Sequence, residues 1–165
     1  MSFMGRLLRL GHLASACCLA ATVVTGYAVS LGWAGARSHI GSSFFIALFV
    51  ALTHAMTLFY FAGIGVSLRE SAAGRRDLVV HLDAAARLRA RLAPIMGLAL
   101  MCLVGAVVAG GGAHTQRLSG WVHHSVSLAA VALNLYAAWL SRRLIGRLEE
   151  ITGVLEEALG LAAGR

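Results

Sequence analysis

The chain has 165 residues, of which 59% are hydrophobic, well above the roughly 45–50% that is usual in soluble domains. Its mean hydropathy is +0.79, and its 14 basic residues against seven acidic ones give a net charge of +7. All basic residues are arginines that flank apolar stretches, so we interpret this charge as membrane topology and attraction to anionic headgroups, and we exclude nucleic acid as a partner.

The first apolar run extends from about residue 10 to residue 33, after a short segment that carries Arg6 and Arg9. A cleaved signal peptide is the competing interpretation, with residues 34–36 as an A-x-A site. The run is longer than the roughly 7–15 residues of a signal-peptide core. We therefore predict a retained first transmembrane helix, and we expect His12 near its start to reach the headgroup region.

The second apolar run, residues 40–67, has no Asp, Glu, Lys or Arg. As a helix it is long enough to cross a bilayer core of about 30 Å. His54 lies near its centre, between Thr53 and Thr57. An ionisable side chain at this depth is costly to place against lipid, so we expect His54 to face other helices and treat it as a candidate functional residue.

Residues 70–92 combine leucines at helical spacing with many arginines, which predicts an amphipathic cytoplasmic segment at the membrane surface or against a partner. A third span is predicted at about 92–112 and a fourth at about 121–142. The fourth should continue as a cytoplasmic helical extension, 143–161. The extension carries an apolar stripe that should pack against residues 77–92 or against a second copy, namely Leu144, Leu148, Ile151, Leu155 and Ala158.

Together these elements predict a single domain, an all-α integral membrane protein built as an antiparallel four-helix transmembrane bundle with amphipathic cytoplasmic segments. Twelve arginines fall on one side of the predicted spans, and only Arg37 and Arg117 fall on the other. The positive-inside rule then places both termini in the cytoplasm, which agrees with an even number of spans. We expect a bacterial inner membrane, with lipid and other membrane subunits or a second copy as partners.

The fourth span has one small or polar face, which predicts that His123 and not His124 points into the bundle. Its members are His123, Ser127, Ala130, Asn134, Ala137 and Ser141. Two inward histidines on different helices, His54 and His123, suit the two axial positions of haem b iron. We therefore predict a haem b-binding subunit that transfers electrons or anchors a larger complex, and not a standalone enzyme.

The predicted depths of the two ligands differ by roughly 10 Å along the helix axis, which is large for one haem. A five-coordinate haem on His54, or an outer haem on His114 and His123, avoids this conflict. The second hypothesis is a cofactor-free structural or assembly protein that binds partners through its cytoplasmic amphipathic helices. The third is a copper or zinc site at the outer face, formed by His114, His123 and His124.

Overall fold

The computed structural model describes residues 2–160, and over that range the chain forms four long α-helices, one short 3₁₀ turn and no strand. The end of the predicted extension, at residue 161, lies outside this range. The α-helices are α1, Phe3–Ser30; α2, Ala36–Ser71; α3, Val79–His114; and α4, Gly120–Ala158; the 3₁₀ turn is Arg76–Leu78.

The helices pack side by side in chain order, and α1 closes the bundle against α4. At one end of the α1–α4 contact the Ser2 hydroxyl donates to Glu149 over 2.9 Å. At the other end the ring of Tyr27 stacks on His124. The start of α1 thus lies beside the far part of α4, and the end of α1 lies beside the start of α4. The two helices therefore run in opposite directions. The predicted all-helical fold is confirmed, and its four helices are arranged as an antiparallel bundle.

Three helical segments within residues 2–160 are long and apolar enough to cross a membrane: α1, α2, and the 3₁₀ turn together with α3. Helix α4 is 39 residues long but less apolar, because His123, His124 and Asn134 interrupt its first half. Large apolar side chains point away from the bundle; Phe45 and Met101, for example, are both 72% exposed. These features indicate a membrane protein whose outer surface suits contact with lipid.

The largest core lies where α3 meets α4, and it extends beyond the apolar spans into the arginine-rich end of the molecule. We call this part, residues 79–92 of α3 and 143–158 of α4, the stalk. Leu148 and Leu155 are fully buried there. The predicted packing of the extension against residues 77–92 is therefore confirmed. Three members of the apolar stripe, Leu144, Leu148 and Leu155, are thus buried by the chain itself, whereas Ile151 is half-buried and Ala158 is exposed.

The amphipathic segment predicted at residues 70–92 and the third span predicted at about 92–112 are not separated by a break in the helix. Residues 70 and 71 end α2, and α3 then runs without interruption from Val79 through Pro94 to His114. The reason is that both parts of α3 bury the same helical face inside the bundle, largely against α4. The buried residues of that face follow one another at helical spacing, namely Ala85, Leu92, Met96, Ala99, Leu103, Ala106 and Ala109.

Candidate functional site

A group of buried polar side chains lies between α1 and α2, and we call it the α1–α2 polar cluster. All five members are less than 9% exposed: His12, Ser15, Thr53, His54 and Thr57. The two helices approach closely here because residue 11 is glycine. A Cβ atom at Gly11 would lie 3.3 Å from the Thr53 methyl group. The cluster is therefore tightly enclosed, although its members are polar.

The proton of the neutral His54 ring can be assigned from its contact with its own helix. Its Nδ1 atom lies 3.0 Å from the carbonyl oxygen of Val50, one turn earlier. A carbonyl oxygen only accepts, so Nδ1 carries the hydrogen and donates it. The other ring nitrogen, Nε2, then holds a lone pair. Nε2 is buried and has no hydrogen-bond partner within residues 2–160.

The proton of His12 can be assigned in the same way from its contact with α2. Its Nε2 atom lies 3.0 Å from the hydroxyl oxygen of Thr57. The Thr57 hydroxyl donates its only proton to the Thr53 carbonyl over 2.8 Å. Nε2 of His12 must therefore be the donor to Thr57. The lone pair of His12 is left on Nδ1, which is also buried without a partner in the described part of the chain.

The two imidazoles are in contact. Their ring centroids are 5.6 Å apart and their planes are inclined by 67°. In the neutral state the single N–H of His54 donates to the Val50 carbonyl and that of His12 donates to the Thr57 hydroxyl. Neither ring can therefore donate to the other. A buried polar atom without a partner costs roughly 1–3 kcal/mol. Chemically, the pair offers two enclosed imidazole lone pairs, which can receive a proton or a metal ion.

The prediction that His12 reaches the headgroups is wrong, because its side chain is fully buried. Helix α1 begins at Phe3, seven residues before the predicted span, so His12 lies in its interior. The sequence carried an indication that His12 is buried, because His12 belongs to a helical face whose members follow one another at steps of three and four. That face is buried in the structure and consists of Gly5, Leu8, His12, Ser15 and Leu19.

The two predicted haem ligands do not meet. His54 contacts His12, whereas His124, next to His123 in the chain, stacks on Tyr27 with a centroid separation of 5.7 Å. His12 and Tyr27 are 15 residues apart on α1, which corresponds to about 22 Å along the helix. The difference in level is thus about twice the one predicted from the sequence. The contacts of His54 and of His124 thus lie at different levels of the bundle.

Four of the remaining histidines, His39, His114, His123 and His124, lie toward the other end of the bundle, whereas His81 lies in the first turn of α3. His123 is half-buried, and its Nδ1 donates to the Ala106 carbonyl over 3.2 Å. Further along the predicted face Asn134 and its small neighbours are buried, but His124 is half-buried like His123 and packs against Tyr27 of α1. His114 is exposed at the end of α3. Among residues 2–160 no three His, Cys, Asp or Glu side chains come together in a way that could hold a metal ion.

A groove of about 430 Å³ runs between α1 and α4 on the outside of the polar cluster. His12 forms part of its wall, and arginines lie at one end. The groove connects the environment of the buried histidine pair with the surface of the bundle.

Comparison of the chain with protein-family models, with curated proteins and with solved structures finds no match.

Proposed function

We propose that the chain is an integral membrane protein whose His12–His54 pair binds a single proton, as one station of a proton relay in a larger membrane complex. The observation that supports this proposal is the presence of two buried lone pairs on adjacent rings, neither of which has a donor within the described range 2–160. Histidines inside membrane spans commonly mark proton pathways. The proposal adds that α4 is a fourth span and that the arginine-rich end lies in the cytoplasm.

Addition of one proton satisfies both lone pairs if the two nitrogens face each other. The proton adds to the lone pair of one ring, and the new N–H then donates to the lone pair of the other. No bond other than this N–H bond forms or breaks. Release reverses the step, and the hydroxyl of Thr57 holds His12 in place throughout.

The charges around the pair oppose proton binding and so help to keep its occupancy low. Arg9, Arg142 and Arg143 line the groove beside His12. Arg9 is paired with Glu149 over 3.1 Å, which offsets one of these charges. The α1–α2 polar cluster itself contains no carboxylate. A site that gains and loses its proton readily suits a relay better than permanent storage of charge.

The test is a pH titration of protein whose histidines are labelled with ¹⁵N, in lipid nanodiscs. The readout is the ¹⁵N signals of the imidazole rings. We expect uptake of one proton shared by two rings, and loss of this coupled transition in His12→Ala and in His54→Ala. The matched control is His123→Ala, which removes a histidine from a different level and should leave the transition unchanged. Independent titration of the two rings, or a transition that survives both cluster variants, would contradict the proposal.

Haem b on His54 is the second candidate function, and it keeps the predicted role in electron transfer. Its support is the orientation of His54, whose Nδ1–H is held by a backbone carbonyl while Nε2 is left for a ligand, as in metal-binding histidines. The packing does not fit a macrocycle at this atom. Gly11 brings α1 against Thr53, and the His12 ring occupies the adjacent space.

A reduced-minus-oxidised visible spectrum separates the two candidates. The protein is purified in detergent from cells supplied with haem, and bound copper and zinc are measured in the same sample. Under the proton proposal we expect no α-band and no stoichiometric metal. A sharp α-band that disappears in His54→Ala and persists in His123→Ala would replace proton binding with haem binding at His54.

A further inference from the structure

We propose that the groove between α1 and α4 binds one anionic phospholipid, with the phosphate at its arginine-rich end and part of an acyl chain along its apolar walls. This inference goes beyond the proposed function. It depends on membrane insertion but not on proton binding. The lining combines arginines with apolar side chains. A free anion would use only the arginines, and an uncharged apolar ligand would use only the apolar side chains.

The polar end of the groove carries an excess of positive charge. Arg9 is matched by Glu149, but Arg142 and Arg143 form no ion pair with a carboxylate in the described range 2–160. The guanidinium carbon of Arg143 lies 4.1 Å from the centroid of the Trp139 ring, a cation–π contact that holds it at the groove. Basic pockets between membrane helices at this interface are typical sites for anionic headgroups.

The rest of the groove is apolar and leads from the arginines toward the middle of the bundle. On α1 it extends from Arg9 to Ala16, and on α4 from Arg143 to Leu135. Seven or eight helical residues correspond to about 10–12 Å. The small side chains Ala16 and Ala138 line this part and leave room for a chain of methylene groups. An amphiphile with a negative head matches both ends of the groove.

Trp139 supports the same assignment through its position. It is partly exposed and lies between the arginines and the apolar part of the groove. Tryptophan prefers the headgroup level of a membrane, where its ring is apolar and its N–H meets water. The phosphate of a lipid at that level would lie within reach of Arg142 and Arg143. The occupant is therefore assigned as a membrane lipid and not as a soluble phosphate.

The experiment measures lipid binding to purified protein by native mass spectrometry and by thermal shift in a neutral detergent. The probes are dioleoyl phosphatidylglycerol, dioleoyl phosphatidylcholine and glycerol 3-phosphate. We expect one saturable phosphatidylglycerol molecule per chain, at least tenfold weaker binding of phosphatidylcholine, and no effect of glycerol 3-phosphate. The double variant R142Q/R143Q should weaken phosphatidylglycerol binding about tenfold or more.

Two further variants make the result specific to the groove. Arg147→Gln removes an exposed arginine of the same helix that does not line the groove, and we expect less than a twofold change. Ala138→Trp fills the apolar part while it keeps both arginines, and it should weaken phosphatidylglycerol binding as strongly as the double variant. Equal affinity for both lipids, an equal effect of Arg147→Gln, or full binding by Ala138→Trp in folded protein would overturn the proposal. Glycerol 3-phosphate binding would instead identify a free phosphate site.

Discussion

The stalk and the α1–α2 polar cluster are both buried contacts between antiparallel helices, yet they are built from opposite kinds of side chain. In the stalk, Leu144, Leu148 and Leu155 are at most 2% exposed, and they stabilise the contact by removing apolar surface from water. The polar cluster is equally closed but leaves one nitrogen of His12 and one of His54 without a partner among residues 2–160. The stalk therefore supports the fold, whereas the polar cluster retains groups that cost stability.

The largest effect should come from a charge placed in the stalk. Leu148→Asp buries an unpaired carboxylate in a closed apolar core and should cost about 4 kcal/mol or more, seen as loss of cooperative thermal unfolding by circular dichroism in mild detergent. The matched control is Val154→Asp on the same helix, which is 48% exposed and should change stability by less than about 0.5 kcal/mol. Similar unfolding of the two variants would show that the stalk contact is not a structural core.

A smaller effect is expected when the acceptor for His12 is removed. Thr57→Val keeps the side-chain shape but leaves Nε2–H of His12 without its partner, which should cost about 1–3 kcal/mol. Thr22→Val is the control, because the Thr22 hydroxyl bonds only to the Cys18 carbonyl of its own helix among the contacts observed. The free energy of unfolding of both variants is measured in the same detergent. Equal stability of the two variants would contradict the assigned proton position on His12.

His54→Leu should have the opposite consequence from Leu148→Asp, although both positions are buried. It removes a ring nitrogen that has no partner in the described part of the chain, so the free energy of unfolding should change by less than about 1 kcal/mol or increase. Coupled proton uptake should be lost at the same time. Destabilisation as large as that of Thr57→Val would mean that His54 makes a structural contact and would remove the contrast between the two regions.

The smallest expected effect is that of the proposed bound lipid on proton uptake by the polar cluster. A phosphate beside Arg142 and Arg143 offsets positive charge near His12, so nanodiscs of phosphatidylglycerol should move the midpoint of proton uptake to higher pH than nanodiscs of phosphatidylcholine, by less than about one unit. The R142Q/R143Q variant should show the same midpoint in both lipids. A lipid-dependent shift that persists in this variant would come from general surface charge and not from the groove.

The sequence by itself determined the class of the protein and much of its helical pattern. Long apolar runs between arginines predicted helices that can cross a membrane, and the small polar face of α4 predicted that Asn134 is buried, as the structure confirms. Such inferences succeed because the 3.6-residue period fixes which side chains share one face of a helix. The same period identifies the stripe of the stalk.

Only the tertiary structure decided which faces meet and at what level. It placed His12 against His54 and Tyr27 against His124, two contacts about 22 Å apart along α1, and it joined the amphipathic segment to α3 as one helix. Periodicity within a helix carries no information about its axial offset or rotation relative to a neighbour. These are set by the close approach that Gly11 permits and by the apolar packing of α3 on α4, and through them the polar cluster arises.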